Sequence, residues 1–255
     1  MRLFPTSFIQ ATWLLLSVLF SSVVLAETPA VTHTEPLNTT SSASAMTLKT
    51  DKNDAIRMIE NAAEKIDKFD STEHWDSVKR LTGVAKAILI FPAGGQVGFL
   101  LGAQWGEGIL MTRHGQQWSE PIFVEFNSAM FGLLVGAQKI GGIGVILSDD
   151  VIDDLVASPI KVGGTADLTV GSGISGKVIG GTSGISAMMV SENTGLYFGG
   201  SIDTFQLKLN ASFNRAMYGE GADLSAVLNR FESEQGYAQT LRKRLEGIAY
   251  RSVYQ

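Results

Sequence analysis

The sequence predicts an α+β fold: a glycine-rich, mostly antiparallel and strongly curved sheet, barrel- or sandwich-like, with N-terminal and C-terminal helices packed on it. Three observations predict it. Of 28 glycines, none lies in residues 1–82 and 26 lie between Gly83 and Gly221. Within that stretch, short runs rich in Ile, Val, Leu and Phe recur between Gly, Pro or polar residues, which reads as strands. On either side of it, apolar residues return at helical spacing.

The elements follow in chain order. Residues 1–26 carry one charge, Arg2, then an apolar stretch from Ala11 to Leu25, and small residues Val24 and Ala26 ahead of Glu27. This pattern predicts a secretory signal peptide, too short and wrongly flanked for a spanning helix. Residues 27–50 are rich in Ser, Thr, Ala and Pro without an apolar period and predict a flexible tether. His33 lies in it, and no other His is near.

A domain is expected over 51–219, with a helical opening at 51–82 and a β-rich body at 83–219. In the opening, Ile56, Ile59, Ala63 and Ile66 mark one face of a helix, widened by Ala55, Met58, Ala62 and Phe69. Thr50 or Asp51 caps it. A second short helix from Ser71 carries His74 and turns Trp75, Val78 and Leu81 inward.

In the body, AKAILIFP, QVGFLLGAQ, EGILMTR, PIFVEF, MFGLLVGAQ and GIGVILS read as separate strands joined mostly by tight turns. RHGQQ is a hairpin loop in which Gly115 takes positive φ and His114 stands alone. SDDVIDDLVAS reads as a short helix with Ser148 at its cap and acids in its first turns. Strand texture resumes with KVGGTADLTV, GISAMMVSE and TGLYFGGSID.

Residues 220–255 form a helical extension. Leu224, Val227, Leu228 and Phe231 share one face of its first helix. Leu241, Leu245 and Ile248 share one face of its last, with Arg242, Lys243, Arg244 and Arg251 around them. A basic amphipathic helix flanked by tyrosines is a candidate contact for an anionic membrane surface. Its alternative is a helix packed on the core with a solvated charged face.

The motifs exclude more than they assign. Gly171, Gly173 and Gly176 spell G-x-G-x-x-G after a strand, with Glu192 downstream, the outline of a dinucleotide site. Such a site needs a helix after the third glycine to face the pyrophosphate. Lys177–Thr182 is too short for a crossover helix, so the segment reads as a glycine loop between antiparallel strands, and no nucleotide cofactor is expected. There is no G-x-S-x-G, no H-E-x-x-H and no metal-ligand spacing among the three histidines. Asp149, Asp150, Asp153 and Asp154 form the one dense acid cluster, which lacks the glycine and terminal Glu of an EF-hand loop. Glu107, between two glycines, is a candidate lone general acid, and neither Glu120 nor Glu125 can be placed beside it from sequence.

Without residues 1–26 the chain carries 19 Lys+Arg against 25 Asp+Glu, a net charge of −6. A mildly acidic chain without a basic stripe argues against nucleic acid as a partner. The absence of Cys excludes a disulfide framework and a thiol-linked lipid. Together with export, this points to a bacterial periplasm.

AKAILIFP, GFLLGAQWGEGILM, FGLLVGAQ, SDDVIDDLVAS, GLYFGGSID and NRAMYG stand in the order found in the SYLF domain family, which the chain resembles from about Trp75 to Gly219. The resemblance implies a lipid-binding module. Eukaryotic members bind phosphoinositide membranes and some bind actin, whereas many bacterial members join a signal peptide to the domain. No actin is expected in a periplasm, and the family has no catalytic motif to carry over. The expectation is therefore a non-enzymatic lipid- or membrane-binding protein of the periplasm or cell envelope. Two other readings are an envelope protein–protein interaction module and an enzyme using Glu107 or the Asp149–Asp154 cluster.

Overall fold

The fold is that of a computed structural model, in which the described residues are 39–170, 173–181, 184–231 and 236–254. The expected signal peptide, His33 and the first half of the expected tether lie outside them, as do Gly171 and Ser172 of the fingerprint-like loop.

Helix α1 spans Thr39–Ser71. It begins inside the stretch expected to be a tether up to residue 50, which corrects that boundary. Ala43, Ala45, Met46, Leu48 and Lys49 are good helix formers. Their propensity extends the helix although residues 44–50 are exposed. From Ala55 on, the anticipated stripe is buried, through Ile59, Ala62, Ile66 and Phe69. A 3-10 turn at Glu73–Trp75 leads into α2, Asp76–Thr82. Trp75 and Val78 are buried, and Trp75 meets Phe69 edge-on at 5.3 Å.

Next come β1 (Ala87–His114), β2 (Gln117–Trp118), β3 (Ile122–Ile146), α3 (Asp149–Ala157), β4 (Ile160–Val170), β5 (Gly173–Gly181) and β6 (Gly184–Leu209). The chain closes with α4 (Ala211–Tyr218), α5 (Leu224–Leu228) and α6 (Gln239–Tyr254). All strand pairings are antiparallel. Gly115 has φ +61° in the tight turn that pairs His114 with Gln117. β5, which holds Gly173 and Gly176, pairs with β6, so the residues after Gly176 are strand.

Two expectations are corrected. The six apolar runs from Ala85 to Ser148 are not six strands: they merge into β1 and β3, of 28 and 25 residues. The glycines between them act as contact points rather than as turns. A Cβ on Gly94 would lie 2.3 Å from the Trp105 carbonyl oxygen, and one on Gly108 would lie 2.3 Å from that of Ile90. Nor is the sheet a strongly curved barrel or sandwich. It is open, in the order β2-β1-β3-β6-β4 with β5 also on β6, and neither closed nor strongly curled. It does carry a sharp local crease where β1 and β3 pair. Residues Gln96 and Gln104 would stand ~26 Å apart on a straight strand, yet the Gln104 Nε2 donates to Gln96 Oε1 at 2.7 Å. The break lies at Leu100, with φ +63°, where the pairing register slips between Phe99 and Leu101. Gly136, on the facing strand, has φ +134°.

Away from the crease, successive residues of β1 and β3 supply two cores. Ile88, Ile90, Ile109, Met111 and Phe123 pack with residues of α1 and α6. Leu89, Phe91, Leu110, Ile122 and Val124 pack with residues of α3 and α5. Strands buried on both faces read as near-continuous apolar runs, as these do. Asn214 of α4 fastens the helix to β3. It accepts from the Phe123 backbone N–H at 2.9 Å and donates to the Phe123 carbonyl at 2.7 Å.

Candidate membrane-contact surface

The crease carries a group of exposed apolar side chains. Phe99, Leu101 and Phe131 are 74%, 67% and 70% exposed, and Leu100, Trp105 and Val135 are also exposed. Register sets Phe99 against Val135 and Leu101 against Phe131, so the two strands present one continuous apolar patch. The GFLLGAQ and FGLLVGAQ runs, read from sequence as strands, supply most of it.

Beside the patch is a cleft of ≈ 300 Å³, lined by Gly95, Gln96, Val97, Trp105, Gln138 and Lys139 among others. The Trp105 ring lies over Gly95, where a Cβ would come within 2.5 Å of it. Gln96, Gln104 and Gln138 are all buried. Gln96 Oε1 accepts from Gln104 Nε2 at 2.7 Å and from Gln138 Nε2 at 2.8 Å. That arrangement leaves Gln138 Oε1 buried without a hydrogen-bond partner among the described residues. Lys139 is exposed. Nothing in the sequence pattern singled out these three glutamines, because Gln96 and Gln104 are brought together only by the crease.

The basic residues read from the C-terminal helix are placed differently from one another. Arg242 is 6% exposed. It is ion-paired with Glu120, and its Nε donates to the Ser119 carbonyl at 3.3 Å. Arg244 pairs with Asp67 of α1 at 2.8 Å, and Arg251 with Asp70 at 2.6 Å. Lys243 is exposed. Leu241, Leu245 and Ile248 are buried, so the apolar face of α6 is turned to the core. Among the described residues no helix is long and apolar enough to cross a membrane.

The acids read as catalytic or metal candidates are likewise assigned places. Glu125 is the cross-strand partner of Glu107, a neighbour that sequence alone could not supply. Asn210 Nδ2 donates to Glu107 at 3.1 Å, and Lys208 pairs with Glu125 at 2.6 Å. Partial burial, and then the Glu125 charge, push the Glu107 carboxyl above the ordinary range. Glu120 serves Arg242 instead. In the Asp149–Asp154 cluster, Asp149 pairs with Lys86 at 3.3 Å, and Ser148 precedes the helix without a side-chain capping bond. Among the described residues no group of three or more acid or His side chains could hold a metal ion. Glu192, the acid downstream of the glycine loop, pairs with Lys68 at 2.7 Å and Lys65 at 3.2 Å. Its hydrogen bond from Lys68 holds its carboxyl below the ordinary range. His114 lies 5.7 Å from the Phe231 ring.

Neither a curated protein nor a solved structure matches the chain. Residues 127–248 match the family model described as Ysc84, Las17-binding protein actin regulator. The matched span starts later than the resemblance read from sequence and ends later, reaching into α6. The family is one of binding modules rather than enzymes. The ordered SYLF segments on β1, β3 and β6 agree with this match, and residues 127–248 are consistent with a SYLF domain family protein.

Proposed function

We propose that this protein is a non-enzymatic lipid- or membrane-binding module of the bacterial periplasm or cell envelope, and that it meets the bilayer through the bare crease of β1 and β3. The observation that carries the reading is the patch of Phe99, Leu100, Leu101, Phe131 and Val135, all more than half exposed. Contiguous exposed apolar surface of this kind marks an interaction site. Each aromatic or leucine side chain moved from water into hydrocarbon contributes about 1.5–3 kcal/mol if fully buried. Three such residues therefore suffice for reversible membrane attachment. The basic C-terminal helix has a secondary part in this reading, through Lys243, since the three arginines are engaged in ion pairs.

Vesicle flotation tests the proposal. The mature chain floats with anionic vesicles, and the triple variant Phe99→Ser, Leu101→Ser, Phe131→Ser stays at the bottom of the gradient with its circular dichroism unchanged. A wild-type chain that floats with no vesicle composition rejects the membrane reading in favour of a protein partner for the same patch.

A further inference from the structure

On the face of the sheet that holds the apolar patch, β1 and β3 change character row by row. Alternate residues of a strand share a face. From Leu101 with Phe131 at the crease, the paired rows lead through Trp105 with Asn127 and Glu107 with Glu125 to Ile109 with Phe123. The first two of these rows stand in water, whereas Ile109 and Phe123 are buried in the core that α1 and α6 share. The Glu107–Glu125 row is therefore the border between the bare and the covered part of one face.

Like charges directly opposite on paired strands repel, and only one of these two is compensated. Lys208 of β6 pairs with Glu125 at 2.6 Å. Glu107 has no cation partner among the described residues. Asn210 Nδ2 donates to it at 3.1 Å, and Asp54 of α1, itself paired with Arg57, adds a further negative charge to its surroundings. Burial, and then Glu125, outweigh the Asn210 bond and raise the Glu107 carboxyl above the ordinary range.

Tryptophan favours the boundary between headgroups and hydrocarbon. With Trp105 at that level, Glu107 lies ~7 Å further along the strand, within a headgroup layer about 5–8 Å deep. An ionised carboxylate there loses water and faces the negative charge of the lipid phosphates. A neutral one meets neither penalty.

We infer that Glu107 is a proton-operated gate on membrane contact: ionised, it holds the crease shallow, and protonated, it lets Trp105 and the apolar patch settle into the bilayer. This rests on the membrane reading above and adds to it how the contact is controlled.

Flotation of the mature chain with mixed phosphatidylcholine and phosphatidylglycerol vesicles, between about pH 7.5 and about pH 5, tests the gate through its linkage to protonation. Glu107→Gln keeps an acceptor for Asn210 and lacks the charge. At the upper pH it binds about fivefold more tightly than the wild type, the factor carried by the ~1 kcal/mol of one charge near an anionic surface. The two converge as pH falls and Glu107 takes up its proton. Asp150→Asn removes an equal charge from the exposed start of α3, whose core lies on the opposite face, and leaves the wild-type affinity and its pH dependence in place. Glu125→Gln leaves Lys208 to Glu107, which then holds its proton less tightly, so the rise in binding comes at lower pH; this arm decides if Glu107→Gln does not fold. Equal binding of the wild type and Glu107→Gln at every pH overturns the gate and leaves membrane binding standing. A like gain from Asp150→Asn assigns the effect to net charge and also overturns the gate. A wild-type chain and a Glu107→Gln variant that float at no pH overturn the membrane reading itself.

Discussion

Two stretches of one hairpin invite comparison. Ile88–Phe91 with its neighbours Phe123–Phe126, and Phe99–Leu101 with Phe131, are similarly apolar in sequence. The first lies under helices and is almost fully buried, whereas the second stands in water. The difference arises from coverage. α1 and α6 lie on one face of the first region and α3 and α5 on the other, while the crease lies beyond them. Apolar residues that build a core and apolar residues that make contact are thus drawn from one vocabulary, and only the placement of helices separates them.

The comparison can be broken at its covered end first. Phe123→Ala should cost about 3–5 kcal/mol of folding stability, as for other buried aromatic truncations, read by urea titration. Arg242→Met leaves Glu120 partly buried without its partner. A loss of about 3–5 kcal/mol is expected for a broken buried pair, at the lower end because the Glu120 side chain keeps 17% of its exposure. A stability change under 1 kcal/mol would place α6 outside the fold's supports. At the bare end the signs reverse. The Phe99, Leu101 and Phe131 triple serine variant should change stability by less than about 1 kcal/mol, since surface substitutions are nearly neutral, while vesicle binding falls at least tenfold.

A spectroscopic probe sharpens the contrast. Trp75 and Trp118 are buried and Trp105 is 49% exposed. Adding vesicles should therefore shift tryptophan emission to shorter wavelength, and Trp105→Phe should abolish most of that shift. The smallest effect belongs to Glu107, near the boundary between the two ends. Its carboxyl is pushed up in the folded state by burial and by Glu125. An acid with a raised folded value binds its proton more tightly when folded. Its contribution is present below the ordinary glutamate range and is lost as pH rises through the raised value. Glu107→Gln should thus stabilise the fold at neutral pH by a few tenths of a kcal/mol, discounted for exposure, and leave it unchanged near pH 3.

Much of this fold was legible in residue order. The stripe of Ala55, Ile59, Ala62 and Ile66 announced a packed helix, Gly115 a hairpin, and the Leu241, Leu245, Ile248 spacing an amphipathic helix whose apolar face is buried. The SYLF segments pointed to the family. The merging of the strands was not legible, because a glycine between two apolar runs reads alike whether the chain turns there or lets another backbone approach. Pairing register was equally hidden, so Glu125 could not be put beside Glu107. In α6, periodicity identified the basic residues around the apolar face but not their acidic partners, Glu120, Asp67 and Asp70, which come from other parts of the chain. The meeting of Gln96, Gln104 and Gln138 depends on the crease, and a single φ value at Leu100 leaves no mark in composition.

Leu100 itself has a consequence. Its left-handed backbone is a conformation that a branched aliphatic residue adopts at a cost and glycine adopts freely. A joint chosen for bending alone would be occupied by glycine. With leucine there, the same few atoms that hinge the ribbon also put grease at its outermost point, so the protein cannot be bent at this place without being made adhesive there.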